Sequence, residues 1–207
     1  MSLALSEQPA PKLDVLAVPQ EADRLLGIVT DERQRTILEN FRRHAMLEVS
    51  GRWPEILAPE LTSSHPVYRV AEGTTTEVFD GHDAVAGFYR GMTDVGLNLI
   101  MPLPLSERMA VADWGLAFES ELAHVVPGAA LPLLGVVVNG VDPAATYVLT
   151  ERVANVWPYD ADAKLLGENV FIDIASRNLY LVEPGDVITT DQARQALEPL
   201  LDAARTN

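Results

Sequence analysis

From residue 97 onward the sequence is dominated by long stretches with the composition of β-strands, and apart from a closing helix all of its helical periodicity lies ahead of them. LNLIMPLPL and RMAVADWGLAFESELAHVV come first, then ATYVLTERVANVW and KLLGENVFIDI, the last pair joined as a hairpin through the turn YDADAK. Strands that follow one another without intervening helices pair antiparallel, and helices placed before them must pack on one face of the sheet. The expected fold class is therefore α+β: a cone-shaped, curved antiparallel sheet with helices packed on its concave side. A sheet bent in this way encloses a pocket.

The helices can be placed by periodicity. Residues 31–50, DERQRTILENFRRHAMLEVS, put Ile37, Phe41, His44, Ala45 and Glu48 on one face, with Asp31 and Glu32 in the first turn and Gly51 as the stop. A short helix, WPEIL, follows. Two strands, roughly 61–70 and 74–79, flank a hairpin turn around AEG. The next helix, GHDAVAGFYRGM, spaces Val85, Phe88, Tyr89 and Met92 at helical intervals. Residues 1–30 form an expected N-terminal arm, 31–185 the cone domain, and 186–207 a C-terminal helix distorted at Pro199.

Composition excludes several function classes. A net charge of −15 argues against nucleic acid, because phosphate binding depends on Lys and Arg. The absence of cysteine removes disulfides, thiolate nucleophiles and zinc–thiolate sites, and makes a reducing cytoplasm the default. The opening MSLALSEQPAPKL lacks the basic start and long apolar run of a signal peptide. Residues 122–141 carry no formal charge, yet Pro127, Pro132, Gly128, Gly135 and Gly140 interrupt them, so a buried loop or strand pair is expected rather than a membrane span.

Within SSHPVYRV, residues 63–70, a histidine and a proline stand side by side in an expected strand. LAPELTSSHPV (57–67) resembles the segment of ketosteroid isomerases in which an Asp-Pro-Val or Asp-Pro-Phe tripeptide supplies the general base. FDGHDAVAGFYRGM (79–92) resembles the following helix of that family, and GENVFID (167–173) its superfamily's final strand. With the segment order, these motifs resemble the nuclear-transport-factor-2-like superfamily, which includes ketosteroid isomerases, SnoaL-like polyketide cyclases and limonene epoxide hydrolases. The resemblance covers about residues 31–175. It implies the cone fold and, through it, no single activity.

The resemblance places His65 where the isomerase base stands, His44 at the oxyanion-hole tyrosine, and Asn155 at the hydrogen-bond-donating Asp. A histidine is a competent base at neutral pH, while an amide and a ring N–H can each stabilise an enolate. In this register His65 faces the cavity with Leu61, Ser63 and Val67, and Tyr68 points away. The bland readings are a half-buried His65 bonded to Ser63 or a backbone carbonyl, a satisfied core His44, and an Asn155 capping a bulge. LTERVANVW also resembles the epoxide hydrolase strand, with Arg152 kept but Ala154 and Val170 where that branch carries aspartates. Arg152 and Asn155 point to opposite faces of the strand unless a bulge near Pro158 reconciles them.

Glu168 shares a strand face with Val170 and Ile172, either in the cavity as an acid or partner of Arg152, or at a strand edge in water. Phe88, Met101, Trp114 and Phe118 are core residues or walls of a substrate pocket. Four scattered histidines give no metal-ligand spacing, no phosphate loop or G-x-S-x-G elbow is present, and no cofactor is expected.

Three functions remain open. One is a cofactor-independent isomerase, dehydratase or cyclase moving a proton on an apolar, carbonyl-containing, steroid- or polyketide-like molecule. The others are a non-catalytic binder of such a molecule and a dimeric protein-interaction module. A homodimer through the sheet's outer face is expected in any case, since the chain has more apolar segments than one small cone needs.

Overall fold

The computed structural model describes residues 3–203. Its elements run α1 (Gln20–Leu26), α2 (Glu32–Val49), β1 (Val67–Glu72), β2 (Thr75–Asp80), α3 (His82–Asp94), β3 (Ile100–Pro102), β4 (Arg108–Ala112), β5 (Gly115–Pro127), β6 (Thr146–Pro158), β7 (Asn169–Leu181) and α4 (Thr190–Ala203). The strands form one seven-stranded sheet in the order β2-β1-β7-β6-β5-β3, with β4 also paired to β5. The fold class is α+β, as the segment order implies. The sheet is mixed rather than wholly antiparallel, because β1 pairs parallel to β7.

Helix α2 crosses the concave face. Asp31 caps it by accepting from the Gln34 amide at 3.0 Å, and Gly51, in the left-handed region at φ 70°, ends it. Its buried face carries Ile37, Leu38, Phe41, His44 and Leu47. Phe41 meets Phe118 and Trp157 edge-on, with centroids 5.2 and 5.0 Å away. Asn40 reaches through this layer to donate to the Leu61 and Ala163 carbonyls at 2.8 and 3.1 Å, tying two loops to the helix. Val18, Ala22 and Leu25 from the N-terminal region, and Ala193, Leu197 and Leu201 from α4, belong to the same core.

Several segments depart from the sequence reading. The strand expected from residue 61 starts only at Val67: Pro66 has no N–H to donate to a ladder, and His65 falls in the bend ahead of it. RMAVADWGLAFESELAHVV is a hairpin, β4 and β5, with Ala112 opposite Gly115. The apolar stretch 122–141 ends β5, continues as a 3₁₀ helix over Gly128–Leu134 and then loops to β6. Among the described residues no helix is long and apolar enough to cross a membrane.

Strand β7 contains a large bulge. Thr150 and Arg152, two residues apart on β6, face Asn178 and Asp173, five apart on β7. Ser176 holds the extra residues by donating to the Asp173 carbonyl and accepting from the Arg152 amide, both at 2.7 Å. The odd number of extra residues reverses the strand's facing. Val170 and Ile172 look into the concavity before the bulge, and Arg177 does so after it.

The parallel joint between β1 and β7 rests on Gly167. Its φ of 151° and its approach to Val67 leave no room for a Cβ, which would collide with the Val67 carbonyl. Gly167→Ala is expected to cost roughly 2–4 kcal/mol in chemical denaturation. Gly87→Ala, in α3 with nothing within 4 Å of the new methyl, is expected to stabilise by about 0.5–1 kcal/mol. Equal effects of the two changes would contradict this account of the joint.

Candidate active site

Between α2, α3 and the concave face of the sheet lies a cavity of about 630 Å³. Its walls are largely apolar and aromatic, including Phe41, Tyr68, Phe88, Phe118 and Trp157. A site of this size and character suits a small hydrophobic molecule.

One wall holds a compact polar cluster. Glu168, displayed by the residue after Gly167, accepts from the Tyr89 hydroxyl at 3.3 Å and lies 3.2 Å from His44 Nε2. His44 Nε2 is also 2.9 Å from the Tyr89 hydroxyl and 3.7 Å from Glu48 Oε2. Tyr68 and Tyr89 share a hydroxyl–hydroxyl hydrogen bond of 3.2 Å. His44 Nδ1 is buried with no partner, so the tautomer that carries its proton on Nε2 leaves no buried donor unmet. The cluster is built from separate elements: α2 supplies His44 and Glu48 one turn apart, α3 supplies Tyr89, β1 supplies Tyr68, and the approach to β7 supplies Glu168.

Burial, reinforced by the Glu168 charge, pushes the Glu48 carboxyl up to about 8. The same two causes, burial first, hold the Tyr68, Tyr89 and Tyr159 phenols well above their ordinary range. Near neutral pH the cluster thus favours the protonated form of Glu48, which meets the same His44 Nε2 as Glu168 does.

Asn155, only 5% exposed, lines the same cavity, and its side-chain amide has no hydrogen-bond partner among the described residues. It pairs with Val170, so Glu168 is its diagonal neighbour on the same face of the sheet, about 7–8 Å away along that diagonal. A second polar group closes another part of the cavity. There Arg177 pairs with Glu72 at 2.8 Å and Glu151 at 2.7 Å, donates to the Leu134 carbonyl at 3.0 Å, and leaves His124 Nε2 3.0 Å from Glu151. Among the described residues no group of three or more histidines and carboxylates is placed to hold a metal ion.

The structure brings some of the sequence candidates together and disperses others. His44, Asn155 and Glu168 stand at the cluster or the cavity wall, and Phe88 and Phe118 line the cavity. His65 does not. Its side chain is 72% exposed and its Nε2 contacts Asp80 at 2.8 Å, because the chain has not yet entered β1 at that point. The strand parity expected around it is also reversed, since Tyr68 faces the cavity. Trp114, at the tip of the β4–β5 turn, is 51% exposed, and Met101 is buried in the core without lining the cavity. Arg152 is 70% exposed on the outer face and paired with Asp173, so it is no partner of Glu168.

Glu48, Tyr68, Tyr89, Glu151 and Arg177 were not singled out by the sequence reading. The shared face of α2 carried the signal for Glu48, and alternation from Asn155 along β6 carried it for Glu151.

Because the folded state raises the Glu48 pKa above its ordinary value near 4.5, the group's contribution to stability is complete below that value and is lost as pH rises through about 8. Melting temperatures measured from pH ~5 to ~9 are expected to show Glu48→Gln gaining on the wild type across this window. A constant difference would show that Glu48 is not the titrating group.

No protein-family model and no curated protein matches the chain. Solved structures do. The chain is similar to the epoxide hydrolase/cyclase-like enzyme SalBIII, described for pyran ring formation in polyether salinomycin, at 12% identity over 72% of this chain and 95% of that one, with a TM-score of 0.44. It is similar to a putative polyketide cyclase from Xanthomonas campestris pv. campestris at 13% identity, over 70% and 95% of the two chains, with a TM-score of 0.48. A nuclear-transport-factor-2-like protein from Anabaena variabilis is similar at 12% identity over 73% and 99%, with a TM-score of 0.49.

Proposed function

We propose that the protein is a cofactor-independent isomerase, dehydratase or cyclase that moves a proton on an apolar, carbonyl-containing small molecule. The observation that carries this reading is the meeting of Glu48 and Glu168 at His44 Nε2, 3.7 and 3.2 Å away, at the wall of an aromatic cavity. Glu168 takes a proton from the carbon α to the carbonyl, and the electron pair moves to the carbonyl oxygen. The free amide of Asn155 donates to the developing enolate. Glu48 returns a proton to the substrate, and transfer from Glu168 to Glu48 restores the starting state. His44 and Tyr89 orient Glu168 through their contacts at 3.2 and 3.3 Å. The role first expected of His65 passes to Glu168.

The test is deuterium incorporation α to the carbonyl, followed by NMR in heavy water with a panel of steroidal and polyketide-like ketones. Glu168→Gln is expected to lower the exchange rate by ~10²–10⁴, and Asn155→Ala by ~10²–10³. His65→Ala is expected to leave it unchanged. The rate should fall above pH ~8 as Glu48 loses its proton. Binding without exchange by any ketone would favour the non-catalytic binder instead.

A homodimer through the outer face of the sheet belongs to the same proposal. Val78 and Phe171 are exposed there, on β2 and β7, with β1 between them. Light scattering should give twice the chain mass for the wild type and a lower mass for Phe171→Asp; a wild-type monomer would refute it.

A further inference from the structure

The cavity contains a carboxyl that the proposed reaction does not use. Glu107 lines it from the residue before β4, and Glu107 makes no hydrogen bond or ion pair among the described residues. Its Oε1 is buried without a partner. The nearest charge that acts on it is another acid, Glu21, whose carboxylate is already bound to Arg24 at 2.7 Å. A carboxyl with an enclosed, unpartnered oxygen is costly, and because the Glu107 residue lines the cavity, a donor on a ligand there can pair with its carboxyl.

The rest of the lining has the same imbalance. Glu48, Glu72, Glu77, Glu107, Glu151 and Glu168 all contribute to the cavity wall. No lysine does, and Arg177, the only arginine there among the described residues, is bound by Glu72 and Glu151. With Glu72 and Glu151 taken up by Arg177, the lining has protonatable carboxyls to spare and no spare lysine or arginine among the described residues, so it suits a ligand cation better than an anion. Phe118 lies on the strand paired with β4, facing the same cavity, and offers an aromatic face of the kind that cations favour. The three interstrand steps from β4 to β7 amount to about 14 Å, so Glu107 and Glu168 belong to opposite walls.

We propose that the ligand of this cavity carries a basic nitrogen, bound as an ammonium against Glu107 on the wall opposite the Glu48–Glu168 pair. This rests on the reading of the cavity as a ligand site and narrows its substrate class to apolar carbonyl compounds that also carry an amine. In the free protein, burial and Glu21 raise the Glu107 carboxyl to about 8, so it is neutral. Arrival of the ammonium stabilises the carboxylate, and the carboxyl proton leaves to solvent as the ion pair forms.

The experiment is calorimetric titration of the full chain near neutral pH with three probes of one shape: tryptamine, tryptophol and indolepropionate. Tryptamine is expected to bind ~10-fold or more tightly than tryptophol, with indolepropionate weakest. Its binding heat should depend on the ionisation heat of the buffer, because protons are released. Glu107→Gln should remove both the preference and the buffer dependence while tryptophol binding changes less than about twofold. Glu107→Asp should restore part of the preference, which separates loss of charge from loss of fold. Equal affinities for the three probes, no binding by any of them, or an amine preference that survives Glu107→Gln would overturn the proposal. These titrations read binding alone, whereas deuterium exchange by Glu168→Gln decides the proton-transfer reading, so either can fail without the other.

Discussion

Where β1 lies parallel against β7, the backbone of Gly167 approaches Val67 so closely that no side chain fits between them, and much of the concave face is referenced to that contact. Val67 donates to the Leu166 carbonyl at 3.0 Å and Arg69 to the Glu168 carbonyl at 2.7 Å, so the two strands are locked in register on either side of the glycine. The β1–β2 hairpin leads directly into α3, whose Tyr89 must meet Glu168 on the far strand. One steric constraint therefore sets the distance between a hydroxyl and a carboxylate that are 79 residues apart in sequence.

Around that joint the protein accepts an electrostatic cost. Removing a carboxyl from water disfavours its charged form, and Glu48 responds by keeping its proton. Glu168 instead meets the Tyr89 hydroxyl at 3.3 Å and His44 Nε2 at 3.2 Å. The far part of the cavity takes another route, with the Arg177 guanidinium balancing Glu72 and Glu151. Protonation, hydrogen bonding and ion pairing thus coexist in one cavity because its apolar walls make an unmet charge expensive in every part of it.

The sequence shows the large elements well because their signals are local. Periodicity and capping locate α2, the Phe-Tyr-Arg segment locates α3, and strand composition locates β5 and β6. Alternation along a strand put Glu168 on one face with Val170 and Ile172, whereas Asn155 was reached only through the family resemblance. His65 misled because the strand begins only after Pro66, which lacks the N–H that a ladder needs, and His65 lies in the bend before it. One residue of error in parity also hid Tyr68. The parallel pairing of β1 with β7, and with it the meeting of Tyr89 and Glu168, depends on a contact across most of the chain that no local pattern encodes.

The bulge in β7 divides the strand into two halves with opposite facing rules. Residues before it present Glu168, Val170 and Ile172 to the cavity, and those beyond it present Arg177. Descendants of this gene that lengthen or shorten the bulge by one residue would turn Arg177 outward and bring Ser176 or Asn178 inward, while the proximal half kept its register. The two ends of the binding site are in this sense separately heritable: drift or selection can exchange the group that meets one end of a ligand without disturbing the chemistry at the other.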